Sequence, residues 1–366
     1  MKVVIAGGGV IGCAIAYYLA RAGADVTVLE RGDIAQEATS ASAGLLVTPF
    51  EDLGPRPMVR LQRASLKLYS RLIKRLQDES GIDVEFMRSG LIRTAFSEER
   101  ARDLKALARR RSSVGSPVEW VEGSDLRKLE PNLSEAILGA AYSPNEGQLN
   151  PGLLAQAFAK AASNLGAEIR RNVSLTGFVT SGHKLTGVNC ARGEITDLDV
   201  IVLAAGPWTK DISARLSSKV PTRPMRGQMI SYRSDRVEHT IWSEDTYLVP
   251  KPRGVLFVGA TVEDVGFRKG TTKDGLAHLR HTAGQLVPAL RRLKGTRAWA
   301  GLRPGSPDGL PIIGQLPKRD NVYVATGHFR NGILLAPVTG QLMAELILGG
   351  KMSMPLDPFS PARFAS

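Results

Sequence analysis

The order of apolar and polar positions in the first thirty residues predicts a strand, a helix and a second strand. Residues 3–6 are apolar without interruption, which is typical of a parallel strand buried on both faces. Residues 14–22 have the pattern of a helix, and residues 25–29 that of a second strand, which ends at Glu30. The turn after the first strand carries glycines at G-x-G-x-x-G spacing, namely Gly7, Gly9 and Gly12. This order of elements predicts the first βαβ unit of a dinucleotide-binding domain.

Each part of this unit has a physical role in holding a dinucleotide. Gly7 permits the tight turn, Gly9 lets the backbone approach a pyrophosphate, and Gly12 lets the helix pack closely on the strand. The N-terminus of the helix offers free N–H groups and the positive end of the helix dipole to the phosphates. Glu30 follows Gly12 by eighteen residues and is placed to accept hydrogen bonds from ribose hydroxyls. The alternative is a glycine-rich turn in another kind of α/β fold.

Beyond residue 30, nucleotide-fold segments and strand-rich segments alternate along the chain. Helices are predicted at residues 58–79, 98–111, 152–164 (with Asn150 as N-cap), 273–286 and 333–348. Strands are predicted at residues 84–86, 90–95, 168–170, 173–179, 184–190, 200–204, 227–232, 246–249, 255–259 and 321–325. This alternation favours an α/β fold, α+β overall, whose two domains are interleaved. We expect a Rossmann-like dinucleotide-binding domain at residues 1–85, 148–222 and 300–366, and a smaller β-rich substrate domain at residues 86–147 and 223–299.

Length, charge and cysteine content narrow the class of protein. A chain of 366 residues is long for one domain and fits two. The net charge of +13 is dispersed and has no interleaved aromatic residues, so we expect a basic solvated surface and no nucleic-acid partner. No apolar stretch has membrane-spanning length, and we expect no membrane partner. Cys13 and Cys190 are interpreted as reduced core residues of a cytoplasmic protein, and the five histidines lack the spacing of metal ligands.

A single phosphate-binding glycine motif indicates one bound dinucleotide that reacts directly with a substrate. A reductase that passes electrons from a nicotinamide to a flavin usually needs two such motifs. The apolar strand at residues 200–204 runs into Gly206 and is similar to the second short motif of two-domain FAD proteins, where the backbone passes close to the cofactor. An ordinary core strand that ends in a turn is the alternative for this segment.

Two C-terminal stretches identify a family. Residues 301–314 are GLRPGSPDGLPIIG, and residues 327–337 are GHFRNGILLAP. Both closely resemble the D-amino-acid-oxidase-type family of FAD-dependent oxidoreductases, and within it the glycine-oxidase branch, which is associated with thiamine biosynthesis. The resemblance extends over essentially the whole chain. The stretch at residues 327–337 is highly specific, whereas the N-terminal glycine motif occurs in many flavoproteins.

The resemblance implies a non-covalent FAD in the Rossmann-like domain and a second domain whose sheet covers the flavin. The residues implied near the phosphates and the ribose are Gly7, Gly9, Val10, Ile11, Gly12, Glu30 and Arg31. Those implied around the pyrophosphate and flavin are Ala38, Thr39, Ala43, Gly44, Leu45 and Gly206, with the backbone of Val173 at the adenine. Those implied at the edge of the isoalloxazine ring are His328, Phe329, Arg330, Asn331, Gly332, Ile333 and Leu334.

The predicted final helix agrees with this picture on independent physical grounds. Gly332 stands at its start, so its N-terminus can face the carbonyl end of the flavin. The helix dipole would stabilise negative charge at N1 of the reduced flavin by about 0.3–2 kcal/mol. This arrangement would favour hydride uptake. A simple glycine at the start of a helix is compatible with the same geometry.

The resemblance also implies three residues that hold the substrate, Arg303, Arg330 and Tyr247. A guanidinium fork suits the carboxylate of an amino acid, and a charge-assisted pair contributes roughly 1.5–3 kcal/mol. The family's reaction transfers the α-hydrogen as a hydride to flavin N5 without a general base, and O2 then reoxidises the flavin and yields H2O2. The sequence is consistent with this, because it has no Ser-His-Asp or paired-carboxylate arrangement. Glycine, sarcosine and small D-amino acids are the expected substrates.

Two positions depart from the pattern of some glycine oxidases, and other functions stay open. Asp245 and Val262 are expected in the wall of the pocket, where a histidine and a methionine occur in those relatives. One alternative is a D-amino-acid or secondary-amine dehydrogenase that hands electrons to a quinone or carrier. Another is a non-catalytic FAD-binding protein. An NAD-dependent dehydrogenase would leave the C-terminal motif without a purpose. The family often forms homotetramers, so we expect a homo-oligomer.

Overall fold

Two β-sheets, one of six strands and one of eight, contain most of the strands in a computed structural model that describes residues 1–47, 56–112, 117–244 and 246–365. The helices are α1 (Val10–Arg21), α2 (Ala38–Ala41), α3 (Arg56–Ser80), α4 (Glu98–Ser112), α5 (Gly123–Leu129), α6 (Pro151–Asn164), α7 (Thr209–Ala214), α8 (Lys273–Leu286) and α9 (Gly332–Ile347). The strands are β1 (Lys2–Ala6), β2 (Asp25–Glu30), β3 (Leu45–Leu46), β4 (Leu91–Ala95), β5 (Glu119–Glu122), β6 (Gly139–Ser143), β7 (Gly147–Gln148), β8 (Glu168–Arg171), β9 (Leu175–Ser181), β10 (Lys184–Cys190), β11 (Gly193–Ile195), β12 (Val200–Leu203), β13 (Arg223–Arg233), β14 (Thr240–Ser243), β15 (Thr246–Lys251), β16 (Val255–Gly259), β17 (Arg297–Gly305), β18 (Ile312–Gln315) and β19 (Val322–Thr326).

The six-stranded sheet has the order β18-β19-β12-β1-β2-β8, and all neighbouring strands are parallel except β18 and β19. Alternate residues of β1 enter different cores. Val3 and Ile5 pack in the core formed with α1, α3, α6 and α9. Val4 and Ala6 pack in a second core with the β9–β10 hairpin. Burial on both faces explains why this strand is apolar at every position.

The eight-stranded sheet has the order β17-β13-β16-β15-β14-β4-β6-β5, and its strands are antiparallel except for β14 beside β4. One face packs against α8, through pairs such as Ile230 with Leu279 in one apolar core. The opposite face carries Met229 and Val249, which pack with Ala43 from the loop after α2. This second face is therefore turned toward the elements of the dinucleotide-binding unit.

The predicted helices are all present, and most predicted strands are found with small shifts at their ends. The first helix begins at Val10 rather than at residue 14. Asn150 caps α6 as predicted, since its side chain accepts a hydrogen bond from the Leu153 N–H at 3.2 Å. The strand predicted at residues 84–86 is wrong, because Glu85 has φ of +54°, a left-handed conformation that interrupts extended backbone. The pattern does not predict β3, β5, β6, β7, β11, β14, β17 or β18, nor the short helices α2, α5 and α7.

The structure also bears on three expectations about a domain boundary, the two cysteines and membrane-spanning helices. β17 crosses the domain boundary predicted at residue 300 and pairs with β13 in the eight-stranded sheet, while the division into five domain segments stays a prediction. Both cysteines are free, and Cys13 is buried, but Cys190 is only partly buried and is not a core residue. Within the described ranges, no helix combines the length and the apolar character needed to cross a membrane.

Candidate active site

A cavity of about 780 Å³ lies between the two large sheets and is lined by residues of both. One side is formed at the carboxyl ends of β1, β2, β12 and β19, where ligands bind in doubly wound sheets. The other side is formed by residues of β13, β15 and β17 from the eight-stranded sheet. The cavity therefore joins the glycine turn to the sheet that the sequence assigns to the substrate domain.

Most residues that the sequence places at the cofactor line this one cavity. They are Gly7, Gly9, Val10, Ile11, Glu30, Arg31, Ala38, Thr39, Ala43, Leu45, Val173, Gly206, His328, Phe329, Arg330, Asn331, Gly332, Ile333 and Leu334. The three residues expected to hold the substrate, Arg303, Arg330 and Tyr247, line it as well. Their individual contacts with cofactor and substrate stay predictions.

The glycine turn after β1 has the geometry that a dinucleotide site requires. Gly7 has φ of +120°, and a Cβ on it would lie 2.5 Å from the Ala204 carbonyl oxygen. A Cβ on Gly12 would lie 1.9 Å from the Gly7 oxygen, so only glycine lets α1 approach the turn this closely. Gly9 caps α1 without a side-chain hydrogen bond, and the first turn of α1 carries no acidic residue. No acidic residue of α1 itself therefore neutralises the positive end of the helix, which fits a bound pyrophosphate.

Glu30 organises the backbone next to this turn. Its Oε2 accepts a hydrogen bond from the Gly8 N–H at 2.7 Å, and its Oε1 accepts one from the Gly32 N–H at 2.9 Å. Each carboxylate oxygen has lone-pair capacity for one more donor, so a ribose hydroxyl can still bind here. The Arg31 guanidinium lies 3.8 Å from the ring centroid of Trp208, which also lines the cavity.

The specific C-terminal stretch forms the opposite end of the cavity, where α9 begins at Gly332 as predicted. Pro337 lies inside α9 and has no N–H to offer to the Ile333 carbonyl four residues earlier. The hydroxyl of Tyr69 from α3 donates to that carbonyl instead. The Ser65 hydroxyl donates to the Leu334 carbonyl in the same way. The start of α9 is thus fixed from α3, with its N–H groups toward the cavity.

His328 is a neutral imidazole at this end of the cavity. It is 1% exposed, and burial lowers its pKa to about 3. Its Nε2 lies 3.1 Å from the Thr339 hydroxyl, whereas its Nδ1 is buried and has no hydrogen-bond partner among the described residues. A buried polar atom without a partner is rare in folded proteins and points to a ligand that completes it. Together with the N-terminus of α9, which no side chain caps, this atom fits a bound FAD.

Arg303 of β17 and Tyr247 of β15 come together across the face of the eight-stranded sheet, although β13 and β16 lie between their strands. Nη1 of Arg303 donates to the Thr261 carbonyl at 3.0 Å, which orients the guanidinium. Burial raises the pKa of the Tyr247 phenol, and the guanidinium groups of Arg303 and Arg330 lower it in part. The phenol is therefore protonated at neutral pH and can donate a hydrogen bond. Two cations and one hydroxyl donor at the same place make a site for a carboxylate.

Four predicted positions are placed differently or cannot be described. Gly12 and Gly44 do not line the cavity. Both allow a close approach of neighbouring backbone. Gly44 has φ of +76°, and a Cβ on it would lie 2.0 Å from the Leu149 oxygen. Val262 is 40% exposed and is not in the pocket wall, because backbone hydrogen bonds between Arg226 and Glu263 turn it outward. Asp245 lies outside the described residues.

The cavity wall also contains side chains that the sequence does not predict. They include Gln62, Arg93, Arg100, Trp208, Met229 and Trp242. The sequence does hint at Trp208, because it lies two residues after Gly206 of the second short motif. The sequence also hints at Arg93, because it is a charged residue in the middle of an apolar strand. Gln62, Met229 and Trp242 have no comparable signal, because their position depends on how distant strands and helices pack.

Comparison with known proteins places the chain among flavin enzymes. A family model described as FAD dependent oxidoreductase (DAO) matches residues 2–346, and the chain belongs to this family. It is 36% identical over 348 residues to a glycine oxidase of Bacillus licheniformis, covering 94% of this chain and 92% of that one. It is 35% identical over 371 residues to a bifunctional protein ThiO/ThiG of Synechocystis sp., covering 99% of this chain and 54% of that protein.

A solved structure agrees with the sequence comparison. The crystal structure of glycine oxidase from Geobacillus kaustophilus superposes with a TM-score of 0.92 at 34% identity, and the match covers 99% of both chains. The protein is therefore an FAD-dependent amine or amino-acid oxidase with the fold of that group, as the sequence predicts.

Proposed function

We propose that the protein oxidises glycine and other small amines such as sarcosine and small D-amino acids, and that O2 is the electron acceptor. The convergence of Arg303, Arg330 and Tyr247 in the cavity that carries the FAD-binding elements supports this proposal. The similarity to the glycine oxidases of Bacillus licheniformis and Geobacillus kaustophilus supports the choice of glycine. The similarity to ThiO/ThiG supports a place in thiamine biosynthesis.

In the proposed reaction, the chain acts by holding and orienting the substrate. The two guanidinium groups and the Tyr247 hydroxyl bind the carboxylate, which fixes the α-carbon in one position. Such orientation can supply several kcal/mol of the barrier reduction, with an upper range of about 7–11 kcal/mol for ideal alignment. When bound, FAD would supply a hydride acceptor at N5, and the hydride would carry both electrons. No protein base is needed, because the amine binds neutral and the α-hydrogen leaves with its electron pair.

The overall reaction balances without another oxidant. The α-C–H bond of glycine breaks, and loss of the hydride and of the amine proton leaves an imine. Water hydrolyses the imine to glyoxylate and ammonia. O2 takes up the two electrons and two protons and becomes H2O2. Neutral His328 and the N-terminus of α9 line the cavity, and with FAD bound they would stabilise negative charge that develops on the ring without giving up a proton.

Peroxide formation from glycine by the purified yellow protein tests the proposal. We expect peroxide from the parent enzyme, at least a tenfold loss of kcat/KM in Arg330→Ala, and little change in Arg236→Ala, which removes an exposed arginine away from the cavity. Equal activity of the parent and Arg330→Ala would remove Arg330 from the carboxylate site. Flavin that bleaches with glycine and stays bleached in air would instead support a dehydrogenase. Flavin unresponsive to every amine would support a non-catalytic protein.

A further inference from the structure

The cavity extends past the carboxylate site to a second pair of arginines. Arg93, Trp242 and Tyr247 are direct cross-strand neighbours on β4, β14 and β15, so their side chains form a row on one face of the sheet. The guanidinium of Arg93 lies 4.8 Å from the Trp242 ring centroid, and that ring lies 5.4 Å from the Tyr247 ring. All three line the cavity. Arg93 therefore stands two strands beyond Tyr247, in the wall of the same cavity.

Arg100 lines the same cavity from a different element. It lies in the first turn of α4, which packs on β4 through Ala101 and Leu104. Its side chain is half-buried, and its Nε is buried with no hydrogen-bond partner among the described residues. Glu244 also lines this end, but it is exposed and its backbone carbonyl accepts a hydrogen bond from the Trp242 indole.

Two half-buried guanidinium groups facing one cavity favour an anionic ligand. Arginine is the residue most suited to a carboxylate or phosphate, since its planar fork makes two parallel hydrogen bonds. The partial desolvation of Arg100 strengthens such a pair above that of a fully exposed one. The proposed function assigns the single carboxylate of glycine to Arg303 and Arg330, so Arg93 and Arg100 are outside that contact. A second anionic group on the substrate is what this end of the cavity can bind.

We propose that Arg93 and Arg100 form an outer anion subsite, and that the enzyme prefers small amines with a second carboxylate, such as N-carboxymethyl or dicarboxylic amino acids. This inference rests on the proposed function in one respect, namely that the first carboxylate of the substrate binds at Arg303 and Arg330. The inner carboxylate is held by Arg303 and Arg330, the amine lies at the α-carbon, and the second carboxylate extends past Trp242. The Trp242 indole forms the apolar floor between the two charged ends.

Binding of two ether analogues that cannot be oxidised tests the subsite without turnover. Methoxyacetate copies sarcosine with oxygen in place of nitrogen, and diglycolate copies iminodiacetate in the same way. Both are titrated into the holoenzyme, with the dissociation constant measured from the shift of the flavin absorbance spectrum. We expect diglycolate to bind about tenfold more tightly than methoxyacetate. We expect Arg100→Met to abolish most of this advantage and Arg100→Lys to keep part of it.

A matched variant on the same helix controls for general charge effects. Arg102 is exposed on α4 and does not line the cavity, so Arg102→Met should leave the advantage of diglycolate as it is. Equal dissociation constants for the two ethers, or an equal loss in Arg100→Met and Arg102→Met, would overturn the subsite.

Rates of substrate oxidation distinguish a failure of the subsite from a failure of the proposed function. The ratio of kcat/KM for iminodiacetate to that for sarcosine should fall about tenfold in Arg100→Met. Tight diglycolate binding that depends on Arg100 supports the subsite even if glycine is not oxidised. Turnover of glycine with no preference for diglycolate overturns the subsite and leaves the proposed function standing.

Discussion

The guanidinium of Arg303 lies directly against the backbone of Gly227, on the neighbouring strand β13. A Cβ on Gly227 would lie 2.2 Å from Nη1 and 2.3 Å from Cζ of Arg303. No real Cβ approaches a neighbour this closely, so one of the two must move if any side chain is introduced. The position of a proposed substrate-binding cation therefore depends on the absence of a side chain two residues along the partner strand.

Gly227→Ala should damage substrate binding much more than stability. The atoms that the new methyl group meets are the far end of a flexible side chain, which can swing away at small energetic cost. The displaced guanidinium then loses the substrate carboxylate, a charge-assisted interaction of roughly 1.5–3 kcal/mol. We expect kcat/KM for glycine to fall about tenfold to a hundredfold. Melting temperature and FAD content should stay close to those of the parent.

Gly270→Ala is the matched control for this prediction. A Cβ on Gly270 meets nothing within 4 Å, so the same chemical change is made in open space. Kinetic constants like those of the parent in Gly270→Ala, with a loss in Gly227→Ala, would place the effect at Arg303. A normal kcat/KM in Gly227→Ala would show that Arg303 does not need its observed position.

Lys251 should make stability depend on pH above neutrality. Its Nζ donates to the Ala43 carbonyl at 2.6 Å and to the Leu149 carbonyl at 3.1 Å, which ties β15 to the loop at the cofactor end of the cavity. Burial lowers the pKa of Lys251 from 10.5 to about 7, and Glu85 raises it in part. Between these two values the unfolded chain binds more protons than the folded one, so this group makes stability rise with pH from about 7 to about 10.

Lys251→Met should flatten that rise and also lower stability, because two carbonyls lose their donor. The expected loss is a few kcal/mol near pH 9, and smaller near pH 7. Urea unfolding followed at several pH values measures it. Lys184→Met, at an exposed position of β10, gives the baseline. If the two variants showed the same pH profile as the parent, the amine of Lys251 would be solvated rather than buried.

The parts of the fold that the sequence predicts are those with strong local signals. β1 is apolar at every position because it is covered on both faces, and its glycine spacing is imposed by close backbone contacts. The sequence does not predict β17, because RAWAGLRPG contains two glycines, a proline and two arginines, which together oppose a strand. Its pairing with β13 along nine residues overrides that preference. Residues 84–86 show the reverse case: Val84, Glu85 and Phe86 alternate as in a strand, but Glu85 has a left-handed backbone conformation that prevents one.

The candidate site also contains some parts that the sequence predicts and others that it does not. The glycine turn and the stretch at residues 327–337 are contiguous in sequence, and their spacing alone indicates a site. Arg93 and Trp242 become neighbours only because β4 pairs with β14 in parallel, over a separation of about 150 residues along the chain. Such non-local pairing has no signature in a single sequence. The outward position of Val262 likewise follows from backbone hydrogen bonds to Arg226 that no local pattern encodes.

Trp208→Ala should weaken FAD binding. The Arg31 guanidinium lies 3.8 Å from the ring centroid of Trp208, and the Phe267 ring lies 5.5 Å from the same indole. Without the indole, Arg31 loses the contact that holds its side chain in the cavity. We expect the dissociation constant for FAD to rise about threefold to thirtyfold, from the usual strength of a cation–π pair. Titration of the apoprotein with FAD, followed by flavin fluorescence, measures it.

Trp120→Ala is the control, because the Lys105 ammonium lies 4.9 Å from the Trp120 ring centroid but Trp120 lies outside the cavity wall. An equal effect of both variants would mean that stability, and not the cofactor site, is affected.

Glu30→Gln distinguishes two roles of one carboxylate. If Glu30 serves only to bind a ribose, the variant should lose FAD affinity and keep the stability of the apoprotein. The structure gives the carboxylate a second task, since its two oxygens accept the Gly8 and Gly32 N–H groups. A glutamine amide has one acceptor oxygen and turns an N–H toward one of these donors, so one hydrogen bond is lost.

We therefore expect the Glu30→Gln apoprotein to lose about 1–2 kcal/mol of unfolding free energy in addition to FAD affinity. Urea unfolding of the apoprotein, with exposed Glu194→Gln as the reference, separates the two contributions. Unchanged apoprotein stability with weakened FAD binding would assign Glu30 to the ribose alone. Loss of stability with unchanged FAD binding would make it a residue that shapes the glycine turn and has no direct part in holding the cofactor.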